Sequence, residues 1–114
     1  MAINIYDTAN QMERELRETT EYQDLVKAFG EMKKDPVAYK LFQDFQEIQI
    51  NVQQKQANGE DLTEDEMTHA REVATKVGDI EVVKSLMDKE RNLNQLLGDI
   101  NQIITKPVQE LYRN

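Results

Sequence analysis

Three features of this 114-residue sequence predict an all-α fold, an antiparallel helical bundle of four to five helices with two long members. Breakers are scarce: four Gly and two Pro stand among abundant Glu, Gln, Lys, Leu and Met, which favour helix. Apolar residues recur at alternating spacings of three and four, the period that lines one helix face. Residues that cap and stop helices punctuate these runs. A chain of this length is expected to form one domain, residues 1–114, with enough material to bury a core.

The first helix starts at Asn4, whose side chain suits an N-cap, and carries Ile5, Ala9, Met12 and Leu16 on one face. Charged residues from Glu13 to Glu18 fill the opposite side, giving an amphipathic helix with one solvated face. The stretch TEYQ predicts a second start, with Thr20 as N-cap and Gln23 completing a capping box. Tyr22, Leu25, Val26, Phe29 and Met32 form its stripe, and Gly30 is placed to loosen or end the last turn.

Asp35 and Pro36 open the third helix, because proline has no N–H to lose at the first helical position and its φ is already set. Ala38, Leu41, Phe45, Ile48 and Val52 form a stripe flanked by Val37 and Phe42, running to about Ala57. Asn58 and Gly59 supply a left-handed stop. The fourth helix is marked by Thr63 and Glu66 as a capping box and by Leu62 and Met67 as a hydrophobic staple. Ala70, Val73, Ala74 and Val77 continue its apolar side to Gly78.

Asp79 is expected to cap the last helix, where Val83, Leu86, Glu90, Leu93, Leu97, Ile100 and Ile104 make a heptad seam interrupted only by Glu90. Pro107 should end this helix, or kink it if Val108, Leu111 and Tyr112 continue the same side. Helices over 36–57 and 80–105 would span roughly 30 Å or more at 1.5 Å per residue. Lengths of that order outrun a compact bundle, so a second copy is expected to complete it, as a homodimer or a higher homo-oligomer.

Composition narrows the function. The net charge of −8 is spread so that no segment is basic, which argues against direct nucleic-acid binding. The N-terminal residues lack the pattern of a secretory signal and no run reaches the roughly 18 apolar residues of a membrane span. The expectation is a cytoplasmic protein with no membrane partner. The absence of Cys removes disulfides, thiol nucleophiles and thiolate-bound clusters, and no cofactor is expected.

Candidate chemistry is thin. His69, the sole histidine, falls about 200° round its helix from Met67, opposite the apolar stripe, and should face solvent. The carboxylates Glu60, Asp61, Glu64, Asp65 and Glu66 do not follow the alternating ligand spacing of a calcium loop. Helix capping and the helix dipole account for them. No phosphate loop, nucleophile elbow or paired-histidine motif is found, so no catalytic residue, metal ligand or enzyme activity is predicted.

Surface recognition is the remaining class. Relative to Phe45, Tyr39 falls near 120° and Ile50 near 140° on the third helix, beside Gln43 and Gln46. This stripe either meets another helix of the bundle or of a dimer mate, or it is a docking face for a partner, since Tyr among uncharged polar residues suits an interface.

Glu21 and Tyr22 in EYQDL, Asp35 and Pro36 in DPVAYKLFQDFQ, Gly59 and Leu62 in NGEDLT, and the closing NLNQLLGDINQII resemble the YlbF/YmcA family of Gram-positive bacteria, most closely its small YheA-type members. The likeness spans nearly the whole chain. It implies an all-helical, oligomeric, non-enzymatic protein with a role in the class of competence, sporulation and biofilm regulation. It also implies partners among other family members or ribonuclease-associated proteins, since family members act in a complex that modulates an endoribonuclease. An accessory subunit of such an RNA-processing complex is therefore the alternative to a free-standing regulatory interaction protein. Some members of that complex hold iron–sulfur clusters through cysteines, and this chain departs from that pattern.

Overall fold

The computed structural model describes residues 3–113. Among these residues the fold is all-α, with five helices and no strand. They are α1 (Ile5–Glu18), α2 (Thr20–Lys33), α3 (Pro36–Ala57), α4 (Glu64–Gly78) and α5 (Glu81–Tyr112).

Local side-chain chemistry explains most boundaries. Asn4 caps α1 by accepting from the Asp7 amide at 3.2 Å, while the Asp7 carboxylate accepts from the Asn4 side-chain amide at 2.9 Å. Asp35 caps α3 by accepting from the amides of Val37 and Ala38, with Pro36 in the first turn. At the far end Gly59 adopts φ +71°, and the Gly59 and Glu60 amides donate to the carbonyls of Gln56 and Lys55. This pattern is a Schellman stop, and the left-handed residue it needs is a glycine. Thr63 and Glu66 form the reciprocal capping box of α4.

Two starts differ from the sequence reading. The cap of α2 is Thr19, not Thr20: its hydroxyl accepts from the Tyr22 amide at 3.2 Å and its backbone is extended (φ −69°, ψ 151°). The chain breaks one residue earlier, so the Thr19 hydroxyl is the one three residues before a free amide. Gln23 reaches back to the Arg17 carbonyl at 3.4 Å. Asp79 does not cap α5 either; it keeps right-handed helical dihedrals (φ −94°, ψ −6°) as the C-cap that follows Gly78 at the end of α4. An N-cap needs extended backbone, and the carbonyl accepting the first α5 bonds, from Val83 and Lys84, is that of Ile80.

Two helices run past the residues marked as their candidate stops. Gly30 does not stop α2, which continues to Lys33. Helix α5 passes through Pro107 to Tyr112. Proline removes the amide that would bond the Ile103 carbonyl, and at Ile103, which is exposed, water can satisfy that oxygen.

The chain divides into two compact units. One is Ala28–Met87; the other joins the described residues up to Lys27 with those from Asp88 onward. All eight buried hydrophobic residues of the described chain lie in the first: Ala28, Met32, Ala38, Phe42, Val73, Val77, Val83 and Leu86. There α3 and α4 pack closely as an antiparallel pair, since Asn51 and Lys55 near the end of α3 reach Glu66 at the start of α4. Phe29 of α2 meets the edges of Tyr39 and Phe42 at centroid distances of 6.4 and 6.2 Å, a favoured T-shaped geometry. Among the described residues of the second unit none is buried, and its apolar side chains, including Met12, Leu16, Leu93 and Ile100, are at most half-buried.

Candidate functional site

The stripe on α3 is the first candidate. Tyr39 is half-buried, with its ring against Phe29 and the Lys33 ammonium 5.9 Å from its centroid. The ammonium also lies 5.5 Å from the Phe29 centroid, so it shares a cation–π contact between two rings. Gln43, Gln46 and Ile50 stand on the open surface, Ile50 at 53% exposure. Tyr39 therefore spends part of its ring inside the chain, and the open part of the stripe runs from Gln43 to Ile50.

A polar cluster bridges α3 and α4. The Glu66 carboxylate accepts from the Thr63 amide at 2.9 Å, from the Asn51 side-chain amide at 2.6 Å and from the Lys55 ammonium. The Lys55 bond, the Thr63 amide and Asn51 together hold its carboxyl at about 2, well below the ordinary 4.5. The sequence signalled Glu66 as a cap, but not Asn51 and Lys55, which lie 15 and 11 residues away. The available clue was that they stand four apart and so share a helix face.

Next to this cluster an open pocket of about 510 Å³ is lined by Val52, Lys55, Gln56, Glu60, Asp61, Leu62 and Met67. Leu62 and Met67, the staple pair, form part of its apolar floor. A second, shallower pocket of about 480 Å³ is lined by Pro36, Val37, Leu41, Lys40 and Lys76. Lys40 is held by Asp44 at 3.0 Å.

His69 is exposed. Among the described residues, no three His, Asp or Glu side chains gather closely enough to hold a metal ion. Glu64 and Asp65 stand in the first turn of α4 beside Glu66, where the helix dipole favours carboxylates. No helix among the described residues is long and apolar enough to cross a membrane.

The second unit presents a different surface. Of the fourteen large hydrophobic residues exposed among the described ones, ten belong to it: Ile3, Ile5, Tyr6, Val26, Leu97, Ile103, Ile104, Val108, Leu111 and Tyr112, exposed by 41% to 90%. In α5 the seam that begins with buried Val83 and Leu86 continues onto this surface. Glu90 interrupts it, half-buried, and loss of water there raises its carboxyl above the ordinary value.

Residues 5–109 match the family described as "Control of competence regulator ComK, YlbF/YmcA". The chain belongs to the YlbF/YmcA family. Within the group named UPF0342, it is 60% identical to a protein of Lactiplantibacillus plantarum over the full length of both chains. A UPF0342 protein of Pediococcus pentosaceus is 56% identical, again over both full lengths. Among solved structures, a Bacillus stearothermophilus protein titled "Protein of Unknown Function (DUF964)" aligns with a TM-score of 0.83 at 27% identity, covering 96% of each chain. The yheA protein of Bacillus subtilis aligns with a TM-score of 0.75 at 28% identity, covering 96% of this chain and all of that one. These YlbF/YmcA relatives agree with the resemblance read from the helix-start and seam motifs.

Proposed function

We propose that this YlbF/YmcA-family chain is a non-catalytic, cytoplasmic interaction protein with a regulatory role, which assembles with copies of itself and offers the α3 stripe to a protein partner. The observation that carries this reading is the surplus of uncovered apolar surface: among the described residues, fourteen large hydrophobic residues stay exposed while eight hydrophobic residues are buried. Extended apolar surface on a soluble chain is characteristic of a contact face. The description of the family as one that controls a competence regulator supports regulation as the purpose of such contacts.

The net charge of −8 favours a protein partner over direct contact with nucleic acid. In the other reading, an accessory subunit of an endoribonuclease-modulating complex, a partner would supply the basic surface.

Affinity capture from cells at native expression, with the wild type beside a Gln46→Ala/Ile50→Ser variant, tests the proposal. The expected result is a defined set of protein partners, with at least a tenfold loss of recovery for the variant and an unchanged helical circular dichroism spectrum. Consistent co-recovery of ribonuclease components would favour the accessory-subunit reading. Equal recovery of every partner by both chains would remove the α3 stripe from the proposal.

A further inference from the structure

We infer that the shallow pocket between the start of α3 and the end of α4, floored by Pro36, Val37 and Leu41 and edged by Lys40 and Lys76, seats an acidic segment of a protein partner through an apolar anchor. This is a different face from the α3 stripe. On a 100° step, Val37 and Leu41 lie about half a turn round the helix from Gln43, Gln46 and Ile50.

The antiparallel pairing of α3 and α4 brings Lys76, in the last turn of α4, beside the first turns of α3. Val37 is 67% exposed, although Ala38 and Phe42, which directly follow Val37 and Leu41, are buried in the core. A lone exposed valine is ordinary. Here Pro36, Val37 and Leu41 adjoin on about 480 Å³ of open concave surface, and the aliphatic stems of the two lysines extend the apolar wall. This end of α3 is fixed before any partner arrives, because Asp35 holds the amides of Val37 and Ala38 and Pro36 sets its own φ. A preformed surface needs little ordering on binding.

Charge selects the occupant. The chain carries −8 overall, yet among the described residues the charged groups lining the pocket are the ammonium ions of Lys40 and Lys76 alone. Lys76 forms no ion pair among the described residues, and neither does Lys34, exposed two residues before Pro36. The two carboxylates of residues 35–44 are engaged, Asp35 with the helix amides and Asp44 with Lys40 at 3.0 Å. An approaching segment meets an apolar floor between cations, which fits a leucine or phenylalanine anchor flanked by aspartate or glutamate. A small amphiphile would stay largely in water in so open a hollow, whereas a ligand site buries most of its guest. A nucleic acid would find neither a row of cations nor an aromatic platform in this lining.

Two-dimensional NMR of the full chain, titrated with three acetylated and amidated hexapeptides, tests the inference. The first places leucine and phenylalanine between pairs of glutamates; the second has lysine for every glutamate; the third has serine for both apolar residues. The first is expected to shift the amides of residues 37–41 and 74–77 saturably at roughly 0.1–1 mM, the weak range of a contact smaller than a standard interface. The other two peptides are expected to leave those amides in place. Lys40→Gln/Lys76→Gln should weaken binding about fivefold or more and remove most of its salt dependence. Val37→Ser should weaken it about fivefold or more with the salt dependence kept. Both variants alter exposed residues and should retain the wild-type helical circular dichroism. No shift at these amides up to ~1 mM of the first peptide, or equal binding by the lysine peptide, would overturn the pocket assignment. Shifts confined to Gln46 and Ile50 would overturn it too, while leaving the α3 stripe as the docking surface.

Discussion

Glu66 serves the fold in two ways. Its side chain closes the capping box of α4 and, through Asn51 and Lys55, ties that helix start to α3. Because its pKa in the folded chain is about 2, below the ordinary 4.5, ionised Glu66 stabilises the folded state. That contribution is fully present above pH 4.5 and is lost as the pH falls through about 2. Glu66→Gln preserves the capping hydrogen bond and removes the charge, so the variant should melt lower than wild type at pH 7 and lose less stability between pH 4.5 and pH 2. Thermal melts across that range check it; parallel curves for the two proteins would refute the role. Leu86 is fully buried, and Leu86→Ala should cost roughly 2–5 kcal/mol in urea denaturation. A loss below ~1 kcal/mol would mean the site collapses around the cavity or is not core.

At the scale of elements, helix existence was legible because caps and periodicity agreed, while details requiring a second element were not. Asp35, Gly59 and the Thr63/Glu66 pair act as their local sequence implies, since each satisfies backbone groups within a few residues. The start of α2 is ambiguous in sequence because Thr19 and Thr20 are adjacent, and either hydroxyl suits a cap. Asp79 looks like a cap by type, yet its dihedrals follow the helix behind it.

Tyr39 shows a different limit. Its angle round α3 is correct, but the proximity of Phe29 and Lys33 depends on how α2 packs, which periodicity does not encode. For the α3 stripe the sequence left both outcomes open, contact with another helix or a docking face; Tyr39 meets Phe29 of α2, while Gln43, Gln46 and Ile50 stand on open surface. Thr63→Ala removes the hydroxyl that accepts from the Glu66 amide and should lower stability by about 1 kcal/mol. Its amide exchange should rise selectively in the first turn of α4; uniform protection loss would point to a wider defect.

For the whole molecule, the informative contrast is between the two units. Residues 28–87 contain every fully buried hydrophobic side chain among the described residues, and the remaining described residues contain most of the exposed large ones. Sequence reading found the α5 seam and led to the expectation that a second copy covers the long helices. It did not divide the seam into its buried start and its open remainder, because a heptad pattern reports that a face is apolar and not which chain covers it. The same seam that supplies Val83 and Leu86 to the core leaves Leu97, Ile104, Val108 and Leu111 exposed.

The most direct test is the mass of the purified wild-type chain by light scattering from low to high micromolar concentration. The account predicts a species of twice 13.3 kDa that reverts to a single chain when Ile104 and Leu111 are replaced by aspartate. A wild type that stays at 13.3 kDa throughout would contradict it.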